Sequence, residues 1–103
     1  MPRAAKPMKR VSHRPPRHKR GYDHWWYRNS LRWLAMVIAH SGDPWCRICH
    51  KRPATEVDHI IPPSRSHQYG TPAFMRAFRD MSNWQPACAA CNSAKQNRDG
   101  RSP

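Results

Sequence analysis

Apolar residues are sparse in this chain and fall into short clusters, and the spacing inside each cluster predicts the element it belongs to. Tyr27, Leu31, Leu34 and Ile38 recur at helical spacing, flanked by Trp26, Trp33 and Val37. Asp23 is suited to cap this run and Ser41-Gly42-Asp43-Pro44 to stop it, so one amphipathic helix of about four to five turns is expected. Its tryptophans are read as core, with Arg28 and Arg32 facing out. Thr55 to Ile61 is rich in residues that favour strands and ends at Pro62-Pro63, which cannot continue a ladder. Pro72 to Arg79 carries Phe74, Met75, Ala77 and Phe78 at helical spacing behind a proline, the pattern of a short helix. Asn83-Trp84-Gln85-Pro86 suits a returning strand, and Cys88 to Asn97 begins a final helix rich in Ala, Lys and Gln. The mixture predicts a small α+β domain whose first element is the amphipathic helix.

Residues 1–21 break this pattern. Pro2, Pro7, Pro15 and Pro16 stand among Arg3, Lys6, Lys9, Arg10, Arg14, Arg17, Lys19 and Arg20, with almost nothing apolar between them. Such a segment is expected to be a disordered basic arm that wraps phosphates, or else a solubilising or localising tail. Residues 22–98 then form the single domain and 99–103 a tail. Net charge is +13, from 19 Lys plus Arg against 6 Asp plus Glu. A polyanion is therefore the expected partner, with nucleic acid first and a membrane surface second. The longest apolar stretch, Leu31 to Ala39, is interrupted by Arg32 and is too short to cross a bilayer, so a soluble protein with no membrane span is expected.

A domain of about eighty residues buries too little surface to offset the entropy of ordering it, so a staple is expected. Cys46-x-x-Cys49 and Cys88-x-x-Cys91 supply one, since a two-residue spacer lets both thiolates of a turn face one tetrahedral Zn²⁺. No apolar signal region follows the basic N-terminus, which favours a metal over disulfides. The pairs are separated by 38 residues, longer than a simple zinc ribbon, so the ion clamps the base of an inserted unit that should hold the function.

That insertion reads Glu56-Val57-Asp58-His59-Ile60-Ile61-Pro62, then Ser82-Asn83-Trp84-Gln85 just before the second pair. Cys88-x-x-Cys91 is followed by Asn92-Ser93-x-Lys95. Here the sequence resembles the HNH endonucleases, in the branch whose ββα-metal (His-Me finger) element is embedded in a four-cysteine zinc site. The likeness runs from about Trp25 to Gln96, and Asn92 stands where the family usually has histidine, giving an H-N-N pattern. The resemblance implies that His59 is the general base, Asp58 and Asn92 ligands of a catalytic Mg²⁺ or Mn²⁺, and Asn83 a brace behind the histidine. It also implies a phage or bacterial setting in the cytoplasm, double-stranded DNA as substrate, and 5′-phosphate and 3′-hydroxyl products.

The chemistry is coherent in its own terms: phosphodiester hydrolysis needs a base for water on one side of phosphorus and charge neutralisation on the other. An ordinary histidine, titrating near 6.5, is mostly neutral at cellular pH and can take that proton. Oxygen donors favour Mg²⁺ or Mn²⁺ over zinc, so two different metals are expected. Adjacent strand residues face opposite ways, so Asp58 and His59 share a site only if the strand bends near Pro62-Pro63. Lys95 and Arg98 on the final helix, with Arg28 and Arg32 on the first, are candidate phosphate contacts. Glu56 either assists the metal or lies at the surface in an ion pair. The remaining histidines match no pattern and are assigned no role. Two other classes stay open, a non-catalytic zinc-ribbon module that binds nucleic acid and a basic architectural protein.

Overall fold

The computed structural model describes residues 15–98, leaving residues 1–14 of the expected arm, the 99–103 tail and the Arg98 side chain outside the described atoms. The elements run α1 (His24–Ser41), β1 (Glu56–His59), α2 (Pro72–Phe78), β2 (Trp84–Ala87) and α3 (Ala89–Arg98). Arg17–Arg20, in the part of the expected arm that is described, forms a 3₁₀ turn. Arg17 lies over the Tyr22 ring at 4.5 Å.

Local chemistry sets the helix ends. The Asp23 carboxylate accepts from Trp26 N at 3.0 Å and so satisfies an orphan donor at the start of α1. Gly42, at φ 68°, takes the left-handed conformation at its end and donates to Ile38 O at 2.9 Å. The same Asp23 receives Arg79 Nη2 at 3.1 Å, tying the start of α1 to the end of α2. Thr71 caps α2 through Phe74 N, and Pro72 occupies its first turn, where no donor is needed.

The face of α1 turned to the core runs through Trp26, Ser30 and Leu34. Tyr27 and Leu31, expected on that face, are 49% and 61% exposed. Positions 26, 30 and 34 follow a stripe about one residue away from the expected one, and the hydroxyl of Ser30 disguises it in the pattern. β1 and β2 form an antiparallel pair in the register Glu56 with Ala87, Val57 with Pro86, Asp58 with Gln85 and His59 with Trp84. Strand geometry ends at His59, so Ile60 and Ile61, expected within the strand, stand exposed beyond it.

Val57, Trp84, Phe74 and Phe78 pack with Trp26 and Leu34 into one core. Its contacts are mainly ring on ring: Trp26 meets Phe78 at 4.8 Å and Trp84 at 5.0 Å, both edge-on. Such pairs contribute about 0.5–1.5 kcal/mol each beyond the area they bury. A second, smaller cluster of Cys46, Ala87 and Cys88 closes the other end of the hairpin. No helix among the described residues is long and apolar enough to cross a membrane.

Gly21, at φ 101°, lies against Phe78, where an added Cβ would fall 2.7 Å from three ring atoms. Gly21→Ala should therefore lower stability by about 1–3 kcal/mol in urea unfolding, from backbone strain and overpacking together. Gly42→Ala should cost less, because nothing lies within 4 Å of the added Cβ. Equal midpoints for the two variants would remove the packing part of the argument.

Candidate metal centre and active site

The cysteine pairs are set by two turns. In the first, Cys46 N donates to Arg52 O at 2.8 Å and His50 N to Cys46 O at 2.9 Å. His50 takes a left-handed φ of 57° to close the turn. Backbone N–H groups of Ile48 and Lys51 point at the sulfurs of Cys46 and Cys49, at 3.4 and 3.5 Å. In the second, Cys91 N points at Cys88 Sγ at 3.4 Å in the first turn of α3. All four sulfurs lie within 4.8 Å of one another, with no disulfide between them. A tetrahedral ion with Zn–S bonds of about 2.3 Å needs sulfurs about 3.8 Å apart, so the donor set fits Zn²⁺.

Electrostatics point the same way. Burial pushes the Cys46 thiol up, yet hydrogen bonds from the backbone of Cys49, Cys88 and Ile48 outweigh it and bring it down to about 6. Cys91 is pushed up to about 12, first by its hydrogen bond with Cys88 and then by burial. Four adjacent thiolates repel one another, so without a cation some must keep their protons. Arg52, whose Nη1 lies 3.9 Å from Cys88 Sγ, is held above its ordinary value by that bond and by the charges of Cys88, Cys49 and Cys91.

Beside this centre, α3 crosses β1 in two polar rungs. Glu56 and Asp58 share one face of the strand, and Asn92 and Lys95, three apart, share one face of the helix. Asn92 Nδ2 donates to Glu56 Oε1 at 2.8 Å. Lys95 Nζ donates to Asp58 Oδ2 at 2.6 Å, to Ile60 O at 2.8 Å and to His59 O. Gln85, opposite Asp58 in the register, donates to the same Oδ2 at 2.9 Å. Asp58 is 3% exposed, so removing its cationic partner Lys95 would strand a buried carboxylate, at roughly 3–5 kcal/mol.

His59 faces the other way. Its ring stacks on Trp26 at 5.0 Å and 20° and leans on Phe78 at 4.3 Å, and the residue is 3% exposed. Its Nε2 sits 2.8 Å from the Phe78 carbonyl oxygen, which also accepts from Trp84 Nε1 at 3.0 Å. A carbonyl only accepts, so Nε2 carries a proton in this contact. Asn83 clamps the chain just beyond: its Oδ1 accepts from Ile61 N at 3.0 Å and its Nδ2 donates to Ile61 O at 2.7 Å.

The structure thus brings Asp58, Asn92 and Lys95 to one side of β1 and His59 to the other. The strand stays regular through His59, without the bend that would let Asp58 and His59 overlie one site. Asp58 and Asn92, expected to share a catalytic Mg²⁺ or Mn²⁺, have separate hydrogen-bond partners here, Lys95 and Gln85 for the first and Glu56 for the second. Lys95, expected at flanking phosphates, is turned inward. Arg28 and Arg32 lie exposed on α1, with Arg28 Nη2 2.8 Å from His24 Nε2. A cleft of about 380 Å³ between α1, β1 and α3 is lined by residues including Tyr27, Leu31, Glu56 and Asn92. Gln85, Trp26 and the Phe78 carbonyl were not anticipated as partners of the site. Gln85 alone carried a signal, its place two residues after Asn83 in a strand paired with β1.

Fold and site define a small α+β protein in which a β-hairpin and a helix meet at a four-cysteine cluster able to hold a metal ion. A family model described as HNH endonuclease matches residues 46–98, just over half of the chain, and the chain belongs to that family. No curated protein and no solved structure matches it.

Metal must displace the protons that the apo thiols keep, Cys91 above all, so apparent Zn²⁺ affinity should rise as pH is raised from about 6 towards 9. Competition with a chromophoric chelator measures this, and a flat profile would contradict the thiolate argument. Purified protein should hold about one zinc, and Cys88→Ser should lose both zinc and the folded circular-dichroism signal.

Proposed function

We propose that this chain is a DNA endonuclease that hydrolyses phosphodiester bonds, with Zn²⁺ on Cys46, Cys49, Cys88 and Cys91 as its structural staple. The observation that carries the reading is the extent of the family match, which takes in both cysteine pairs and the whole unit between them. That unit holds His59, Asn83 and Asn92, and the charge of +13 suits a polyanionic substrate. Duplex DNA is the proposed substrate, and the cytoplasm of a bacterial or phage-infected cell the proposed setting, both on the family resemblance.

In this reading His59 Nδ1 takes the proton from the attacking water, while the Phe78 carbonyl holds the ring in the required tautomer. Asn83 fixes the backbone at Ile61, two residues past the base, so the ring is aimed from a rigid turn. Exposed Arg28 and Arg32, with Arg98 on α3, hold flanking phosphates. Family resemblance adds Mg²⁺ or Mn²⁺ at Asp58 and Asn92, an ion that would polarise a phosphoryl oxygen when bound. Trp26 covers His59 in the described conformation, so binding of a scissile phosphate requires that ring to shift.

The burial of His59 and the engagement of Asp58 by Lys95 favour a second reading, a nucleic-acid-binding module of the same family without catalysis. A supercoiled plasmid incubated with Mg²⁺, Mn²⁺ or EDTA separates the two. Wild type should nick in a metal-dependent way, and His59→Ala of equal zinc content should be slower by roughly 10²–10⁴. Equal conversion by both would exclude His59 as the base. Binding by both with nicking by neither would establish the module. In either case DNA affinity should fall with salt, the slope of log affinity against log salt being about −0.9 per phosphate contact.

A further inference from the structure

The Lys95 ammonium has three protons, and it meets three oxygens: Asp58 Oδ2 at 2.6 Å, the Ile60 carbonyl at 2.8 Å and the His59 carbonyl. One carboxylate and two consecutive carbonyls converging on a point make an all-oxygen set, the donor chemistry of a hard cation. Here the point is taken by a side chain of the same chain, and Asp58 Oδ2 has Gln85 as a further neutral donor at 2.9 Å. The resulting pair is well buried, with side-chain exposures of 16% for Lys95 and 3% for Asp58.

We propose that Lys95 is the cation built into this site: its ammonium fills the place at Asp58 that a divalent ion would take, so such an ion binds there only by displacing Lys95. A divalent ion and an ammonium at contact distance from one carboxylate oxygen repel too strongly to share it. The ammonium in turn does not leave unreplaced, because an uncompensated carboxylate at that depth is strongly unfavourable. Exchange is therefore coupled, cation in and ammonium out. Lys95 can make the move, since its flexible four-carbon stem starts from α3 beside the exposed Ser93, Ala94 and Asn97. Once displaced, its charge faces solvent on the side of the hairpin that carries Asn92, where a substrate phosphate can take it up. The inference rests on Asp58 serving as a ligand residue in the proposed nuclease.

The test is Mn²⁺ binding to the full chain purified with its zinc, read from the loss of the free Mn²⁺ signal in electron paramagnetic resonance. Wild type is compared with Lys95→Met, which keeps much of the stem and loses the charge, and with Lys95→Met combined with Asp58→Asn. Lys95→Met should bind Mn²⁺ at least tenfold more tightly than wild type, and the added Asp58→Asn should abolish the gain. Equal affinity in wild type and Lys95→Met overturns the proposal. Should Lys95→Met not fold, wild type alone decides, through ¹⁵N NMR of lysine ammonium groups during a Mg²⁺ titration. The Lys95 signal, slowed in exchange by its three acceptors, should lose protection as Mg²⁺ is added, and persistence to high Mg²⁺ overturns the proposal. Plasmid nicking run in parallel keeps the two ideas apart. Tighter Mn²⁺ binding with no nicking by any protein sinks the nuclease and leaves the exchange standing, whereas nicking by wild type with unaltered Mn²⁺ affinity in Lys95→Met does the reverse.

Discussion

A two-stranded sheet has no interior of its own, so each face of β1 has to be covered by something else. Four residues alternate between those faces, and the strand sends Val57 and His59 one way and Glu56 and Asp58 the other. On the first side α1 and α2 supply rings, and the imidazole is accommodated as one more aromatic, its donor satisfied by the Phe78 carbonyl. On the second side α3 supplies an amide and an ammonium, one for each acidic residue. A buried carboxylate is tolerable only with such partners, so the depth of Asp58 dictates what α3 must carry.

The four-cysteine centre makes this arrangement possible in so short a chain. Cys88 immediately precedes α3 and Cys91 lies in its first turn, while Arg47 N, in the other pair, bonds to Pro86 O of β2 at 2.9 Å. The knuckle, the returning strand and the start of α3 therefore meet at one point. From there the helix has a fixed direction across β1, and Asn92 and Lys95 land on Glu56 and Asp58 in sequence. An ion held by these sulfurs would tie the helix to the knuckle, and its loss would release both, so stability and site geometry would be coupled through the same sulfurs.

The two candidate catalytic groups consequently experience different surroundings. His59 is oriented and stacked within the aromatic core, and Asp58 is neutralised within a polar seam, with the thin sheet between them. Chemistry on a phosphodiester would have to open the first and exchange the cation of the second. The described conformation is a closed one in that sense, and the exposed Tyr27 and Leu31 leave a cleft beside α3 where α1 does not cover the hairpin.

Much of the framework was legible in the order of residues. The helix cap at Asp23, the proline that opens α2, the stop at Gly42, the paired cysteines and the two short strands are local features, decided by neighbours a few positions away. The Asp-His dipeptide, Asn83 and Asn92 could also be picked out, because their spacing around the cysteine pairs is a sequence property. What each side chain touches was not legible. The helix stripe through Ser30 instead of Tyr27, the stacking of His59 on Trp26, and the pairing of Glu56 with Asn92 and of Asp58 with Lys95 all depend on how elements dozens of residues apart are set against one another. Strand alternation fixed that Asp58 and His59 would part; only the tertiary structure decided who would meet them, since burial of charge is settled by partners that the chain brings from far along its length.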